Sequence, residues 1–153
     1  MNIIEQLLSQ VPVVTGFVRL SVVDAATGQV LGSRSAAEVD LPPGDARAAD
    51  RTAGQAVDRA AGQAVDRADD DRANLAACAT EVLQTLATMV TADALEEELE
   101  DVMVTLSGHH HLIRLLPGVA GTDLFLLLTL DRVRANLALA RHQLLGFEAR
   151  VVA

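Results

Sequence analysis

Lysine is absent from this sequence, and its absence excludes several kinds of chemistry. The chain has 153 residues, and all 12 of its Lys or Arg positions are arginine. Without lysine there is no P-loop lysine to contact a nucleotide phosphate, no Schiff-base lysine and no lysine general base. The sequence therefore excludes P-loop nucleotide hydrolases and lysine-dependent covalent enzymes.

Cysteine and aromatic residues are scarce. Cys78 is the single cysteine, and the sequence has three Phe, no Trp and no Tyr. A single cysteine forms no intramolecular disulfide and does not supply a cysteine-based zinc site. We expect Cys78 to be a small buried residue rather than a nucleophile. The core is predicted to consist of aliphatic side chains, chiefly Leu, Val and Ala.

Positive charge and long apolar runs are also limited. The formal net charge of -9 argues against nucleic-acid binding, which requires a basic surface. The longest apolar run, Leu124 to Leu128, is far shorter than the roughly 20 residues that span a bilayer, so no membrane insertion is expected. The chain also starts without the basic segment of a secretory signal. These features predict a soluble, cytoplasmic protein with a single domain over residues 1–153.

Hydrophobic periodicity predicts the order helix, two strands, helix, three strands, helix. The helices are predicted over 2–11, over 72–91 and after Asp131, which we expect to cap the last helix. The strands are predicted over 17–23, 29–34, 99–106, 109–116 and 124–130, the fourth of them ending at Pro117-Gly118. Residues 124–130 are apolar on both faces, as in a central strand. Because the links within each run of strands are short, we expect an α/β fold of the α+β layered type, with one five-stranded antiparallel sheet and helices on both faces.

The final helix is predicted to present one apolar stripe. Its members recur at spacings of three and four residues: Val133, Leu137, Ala140, Leu144, Phe147 and Val151.

Residues 35–71 differ in composition from the rest of the chain. They are rich in Ala, Asp and Arg, and the octapeptide AGQAVDRA occurs at 53–60 and again at 61–68. Eight residues turn a helix by about 800°, so successive copies do not build a constant coiled-coil seam. We interpret the segment as a duplicated surface insertion that is partly helical, with a functional arm as the alternative.

The helix predicted over 72–91 has an unusually wide apolar face. Its apolar residues fill an arc of about 180°, whereas a surface helix needs only about 100°. The surplus predicts a second contact for this helix, either with the insertion or with another subunit.

Several stretches resemble a known family. They are VPVVTG at 11–16, VD at 23–24 with TGQVL at 27–31, DVMVT at 101–105, HLIRLL at 111–116 and DRVRANLALAR at 131–141. The last of these resembles the Ala-Asn-Leu start of the final helix in bacterial members of the roadblock family. The sequence thus resembles, over most of its length, the dynein light-chain roadblock domains and their bacterial small-GTPase regulator branch, which have a profilin-like fold.

The resemblance implies a homodimeric scaffold that binds and regulates a Ras-like small GTPase, in some members as a GTPase-activating partner. In the family the second helices of two subunits pack across a two-fold axis, and their third strands pair. Family members usually join the second strand to the second helix compactly, and the insertion 35–71 departs from that pattern. The implied dimer interface comprises Leu75, Ala76, Ala79, Leu83, Leu86, Val90 and Met103. The candidates for contact with a partner protein are Glu81, Gln84 and Thr88.

No motif predicts catalysis, a cofactor or a metal, and we therefore expect a protein that is not an enzyme. The alternative is a small-molecule or metal-sensing domain that uses a sheet-side pocket or the cluster His109, His110 and His111. On a strand, His109 and His111 share a face and His110 lies on the other. Two imidazoles are too few for a structural zinc site, so we favour a histidine cluster without a ligand role.

Overall fold

The computed structural model describes residues 2–10, 14–36, 54–92, 96–119 and 121–152, and their side chains except at 54–66, 122 and 148–152. The elements follow the predicted order. They are α1 (Ile3–Gln10), β1 (Phe17–Asp24), β2 (Val30–Ser35), α2 (Gly54–Ala92), β3 (Asp101–Thr105), β4 (His109–Val119), β5 (Thr122–Asp131) and α3 (Leu137–Val152).

The five strands form one antiparallel sheet in the order β2-β1-β5-β4-β3. β5 lies in the centre between β1 and β4, and its residues 124–130 are all buried. This confirms the prediction of a central strand covered on both faces. The α+β layout with helices on both faces is confirmed as well.

The face of the sheet toward α1 and α3 carries the larger part of the core. Alternate strand residues point to this side because side chains alternate between the faces of a strand. The buried members include Leu20 and Val22 of β1, Leu112 of β4, and Leu144 and Phe147 of α3. Burying each large aliphatic or aromatic side chain stabilises the fold by about 1.5–3 kcal/mol.

The opposite face packs against α2. There Ala76, Ala79 and Leu83 of the helix lie on Ile113 and Phe125 of the sheet. The small alanines allow the helix to approach the strands closely, and the aliphatic character of both core clusters agrees with the scarcity of aromatic residues.

α2 is much longer than the sequence predicts. It runs for 39 residues and therefore spans about 58 Å. Residues 54–71, which we assigned to the insertion, form the first half of the same helix, and both copies of the octapeptide lie in it apart from residue 53. The expectation of partial helix in this segment is confirmed, but its boundary with the predicted helix is wrong. Residues 37–53 of the insertion lie outside the described residues.

The last helix begins later than predicted. Asp131 ends β5, and its Oδ1 accepts hydrogen bonds from the backbone N–H groups of Val133 and Arg134, at 2.9 and 3.3 Å. It therefore caps a turn, and Val133 is 93% exposed rather than part of the helical stripe. The cap of α3 is Asn136, whose Oδ1 accepts from the N–H of Leu139 at 3.1 Å.

The turn before β1 requires a glycine. Gly16 has a φ of +82°, and a Cβ at this position would lie 2.8 Å from the backbone N of Ala135. A side chain here would therefore push apart the two segments that lead into β1 and α3.

Several strand ends also differ from prediction. β4 does not stop at Pro117-Gly118 but reaches Val119, with a register shift between Leu116 and Val119. Gly118 adopts a φ of 71° in this irregular stretch. β3 begins at Asp101 rather than at residue 99.

One stretch of helix passes a length-and-composition test for a membrane span. It is Arg67–Ala92 of α2, with a mean hydropathy of 1.3 in its most apolar window. Core helices of soluble proteins pass the same test, and Ala76, Ala79 and Leu83 of this stretch lie on the sheet.

Candidate functional site

A row of apolar side chains on α2 is left largely uncovered by the part of the chain that the structure describes. Its members, which we call the α2 stripe, are Leu75, Cys78, Val82, Leu86 and Met89. At about 100° per residue they fall within about 80° of the helix circumference. Val82 is 41% exposed and Met89 is 62% exposed. A contiguous apolar patch of this kind is typical of a protein interaction surface.

Three of the residues that the sequence resemblance places in a dimer interface face the sheet of their own subunit. Ala76, Ala79 and Leu83 face the sheet and are only 0, 5 and 6% exposed, so they belong to the core of one subunit. The wide apolar arc is thus divided between the sheet and the stripe. Of the predicted interface residues, Leu75 and Leu86 lie on the stripe and are half-buried.

The remaining two predicted interface residues are not on the stripe. Val90 is half-buried on the sheet-facing side of α2, about 40° around the helix from Leu86, and lines a groove. Met103 is 40% exposed on β3, but it pairs with Leu112, whose side chain belongs to the core beneath α1 and α3. Met103 therefore lies on the face of the sheet opposite to α2.

Cys78 is exposed, which contradicts the expectation of a buried residue. Its position at the margin of the apolar arc explains the difference, because the sheet covers only the other side of that arc.

β3 forms one edge of the sheet. Within the described residues it pairs with β4 alone, so its other edge presents unpaired backbone groups. Val102 and, two residues further, Val104 point to the face that carries α2. The side chains of Val102 and Val104 thus lie on the same face of the sheet as α2.

The candidates for contact with a partner protein form a third surface of α2. Glu81, Gln84 and Thr88 are all exposed, and the Thr88 hydroxyl donates to the Gln84 carbonyl at 3.0 Å. They lie about 120° around the helix from both the sheet and the stripe. This surface remains accessible when the other two are covered.

The histidine cluster is divided between the two faces of the sheet, as the alternation predicts. His111 lies on the α2 face with its Nδ1 3.0 Å from Oγ1 of Thr129, while the Nδ1 of His110 lies 3.1 Å from Oγ1 of Thr105. Burial, together with the neighbouring His109 and Arg19, lowers the pKa of His111. No group of three or more potential metal ligands occurs in the part of the chain that the structure describes.

Known structures resemble this fold at low sequence identity. A Roadblock/LC7 domain from Streptomyces avermitilis superposes with a TM-score of 0.57 and 14% identity, over 99% of this chain and 93% of that one. An MglB structure with a tetrameric arrangement gives a TM-score of 0.60 and 15% identity, over 97% and 84% of the two chains. The gliding protein MglB from Thermus thermophilus gives 0.56 and 16%, over 95% and 82%.

The chain has the Roadblock/LC7 fold. The agreement extends over nearly the whole chain, including both the five-stranded sheet and its helices. At the level of sequence, no family model and no curated protein matches the chain. The likeness therefore lies in the Roadblock/LC7 architecture, and the fold expected from the sequence resemblance is confirmed.

Within this Roadblock/LC7 fold, sequence reasoning selected α2 for the interface but omitted part of the exposed surface of this helix. Val82 and Met89 belonged to the predicted apolar arc, yet neither was selected for the interface. The periodicity of the sequence shows that both residues lie on the apolar face of the helix. Only the position of the sheet shows which residues of that face remain exposed.

Proposed function

We propose that this chain is a non-enzymatic, cytoplasmic scaffold that forms a homodimer and binds and regulates a Ras-like small GTPase. The observation that carries the proposal is the exposed α2 stripe, together with the open edge of β3. The sequence resemblance to the bacterial regulator branch of the roadblock family supports it. The likeness of fold to gliding proteins supports it further.

The homodimer places two copies of the same surface against each other. A two-fold interface is self-complementary, so the stripe of one subunit meets the stripe of the other. In the same arrangement the two β3 edges lie side by side, so that the unpaired backbone groups of each edge find hydrogen-bond partners on the other. Val82 and Met89 lose their exposed apolar area on association, which supplies the driving force.

The GTPase binds on the outward surface of α2. Glu81, Gln84 and Thr88 lie there and are not needed for the core or for the dimer. They are carried by a long helix that is fixed to the sheet, so they form a rigid contact surface. In the dimer two such surfaces stand side by side.

The regulation acts by ordering the switch segments of the GTPase. Arg141 is held by Asp101, with Nε–Oδ2 and Nη2–Oδ1 distances of 2.7 and 3.2 Å. Arg132 donates to the Leu106 carbonyl at 3.2 Å. With Arg141 and Arg132 both engaged within the domain, ordering of the partner's own switches explains regulation better than an arginine finger.

The test uses the full chain as bait in native cell lysate, with GDP and with a non-hydrolysable GTP analogue. We expect one small GTPase to be enriched in one nucleotide state, and its purified form to change its rate of GTP hydrolysis when the chain is added. The variant Glu81→Arg with Thr88→Arg should lose this GTPase and remain a dimer. The control Glu5→Arg with Glu96→Arg adds similar charge at exposed positions elsewhere and should retain it.

Two outcomes would contradict the proposal. One is reproducible capture without a small GTPase in either nucleotide state. The other is a hydrolysis rate and an affinity that are the same for the wild type and for the Glu81→Arg, Thr88→Arg variant, which would place the contact elsewhere.

A further inference from the structure

An apolar groove lies between the last turns of α2 and the sheet. Its volume is about 390 Å³, within the range of about 300–1,000 Å³ that is usual for binding sites. The walls are formed by Leu83 and Val90 of α2, Leu99 of the segment before β3, and Leu115 and Leu124 of the sheet. Leu99 and Leu115 are only partly buried, so the core remains open at this end of the sheet.

The walls of the groove are fixed by backbone hydrogen bonds. The N–H of Leu115 donates to the Glu100 carbonyl at 3.0 Å, which fastens the segment before β3 to β4. The N–H of Ala25 donates to the Asp123 carbonyl at 2.9 Å, which joins the turn after β1 to β5. The groove is thus formed before any ligand binds, and preformed sites lose less entropy on binding.

The rim of the groove is acidic. Glu97, Glu98 and Asp123 line it and are all exposed, and its described lining includes no arginine or histidine. Asp123 Oδ1 accepts a long hydrogen bond of 3.4 Å from the N–H of Gly118. An apolar floor with three carboxylates at its edge complements an apolar ligand that carries positive charge.

The groove and the stripe occupy different sides of α2. Ala87, Val90 and Thr91 line the groove, and they lie roughly 80–180° around the helix from Val82 and Met89 of the stripe. A dimer formed through the stripe therefore leaves the groove open. The two surfaces act independently.

We propose that this groove is a docking site for a short peptide segment of a partner protein, with apolar side chains flanked by arginine or lysine. The apolar side chains enter between α2 and the sheet against Leu83 and Leu115. The flanking cations lie over Glu97, Glu98 and Asp123. This contact is additional to the GTPase-binding surface, and it does not depend on the proposed GTPase.

The test is a selection from a random octapeptide library displayed on phage, against the full chain. We expect enrichment of peptides in which two or more apolar residues are flanked by arginine or lysine. Synthetic peptides of the enriched type should bind in fluorescence anisotropy. Their counterparts with glutamate in place of the basic residues should bind at least about tenfold more weakly, because charge matched across an interface favours binding and like charge opposes it.

Two groove variants and a matched control locate the site. Ala87→Arg introduces a long cation into the groove from an exposed helical position, and Glu97→Lys with Glu98→Lys reverses the charge of the rim. Both should reduce the affinity of the enriched peptides at least about tenfold. The control Glu5→Lys with Glu81→Lys makes the same change of charge away from the lining and should leave the affinity within about twofold.

Thermal melts followed by circular dichroism establish that each variant is folded, since arginine is a good helix former and all the substituted positions are exposed. Failure to enrich an apolar and basic motif on the wild type would overturn the proposal. So would peptides that bind both groove variants as tightly as the wild type, or peptides that prefer glutamate to arginine.

Discussion

Replacing Val82 and Met89 with glutamine tests whether the α2 stripe holds two subunits together. Val82→Gln and Met89→Gln remove apolar area, add no charge and retain a residue that favours helix. A fully buried Val or Met side chain contributes about 1.5–3 kcal/mol. In the single chain 41% of Val82 and 62% of Met89 are exposed. Only these fractions become buried when two subunits associate.

The expected effect follows from those fractions and from the two-fold symmetry. The two side chains together contribute about 1.5–3 kcal/mol per subunit. Each substitution occurs twice in a symmetric dimer, so the total loss is about 3–6 kcal/mol. The dissociation constant of the dimer should therefore rise by about 100-fold to 10,000-fold.

Sedimentation equilibrium over a wide range of concentration measures this constant directly. The control is Ala77→Gln with Thr88→Gln, two exposed positions on other sides of the same helix. We expect the control to associate as the wild type does, and the stripe variant to be a folded monomer at concentrations where the wild type is a dimer.

A monomeric wild type at all working concentrations would refute the reasoning. A dimer whose dissociation constant is unchanged in the stripe variant would refute it as well. Equal weakening of the stripe variant and the control would assign the effect to the helix as a whole and not to the stripe.

Three further predictions concern the stability of the fold. Asn136→Ala should lower the free energy of unfolding in urea by about 1 kcal/mol, because Asn136 caps α3. Phe147→Ala should lower it by about 3–5 kcal/mol, because Phe147 is fully buried beneath the sheet. The pKa of His111 is lowered from 6.5 by burial and nearby cations, so the unfolded chain binds the proton more tightly. Stability should therefore fall as the pH drops from about 7 toward 5, and this fall should be smaller in thermal melts of His111→Gln.

Much of the sheet could be predicted from the sequence because its signal is local. Residues 124–130 are apolar on both faces, and a strand of that kind has to lie between two covered faces. The alternation in β1 likewise separates Leu20 and Val22, which face α1 and α3, from Val23 on the other side. The antiparallel pairing within each run of strands follows from the short links between them.

The start of α3 could not be predicted because two residues satisfy the same local rule. Asp131 and Asn136 are both good N-cap residues, and each accepts hydrogen bonds from backbone N–H groups two or three positions later. The sheet determines which of the two residues begins the helix, because β5 remains paired as far as Asp131, which lies opposite His109. A residue that still belongs to the sheet does not begin the helix.

For a comparable reason, the sequence alone does not separate interface residues from core residues on α2. The sequence defines the apolar arc of α2 but does not say which part of the arc meets the sheet. The residues that the family resemblance places in the interface include Ala76, Ala79 and Leu83, which cover Ile113 and Phe125 within the same chain. The sheet covers one side of the apolar arc, and residues on the other side of the arc remain exposed.

This division of α2 also explains why a helix of a folded sheet protein has the hydropathy of a membrane span. A surface helix that packs on one partner needs apolar residues on about a third of its circumference. α2 has apolar residues toward the sheet, on the stripe and along the groove. The mean hydropathy of the helix rises accordingly. The acidic residues Asp69 and Glu97 stand near the two ends of this stretch. The apolar residues that α2 has beyond those packed on the sheet are therefore distributed over distinct surfaces of the helix, each bounded by polar residues. This distribution is expected for a helix that makes several protein contacts.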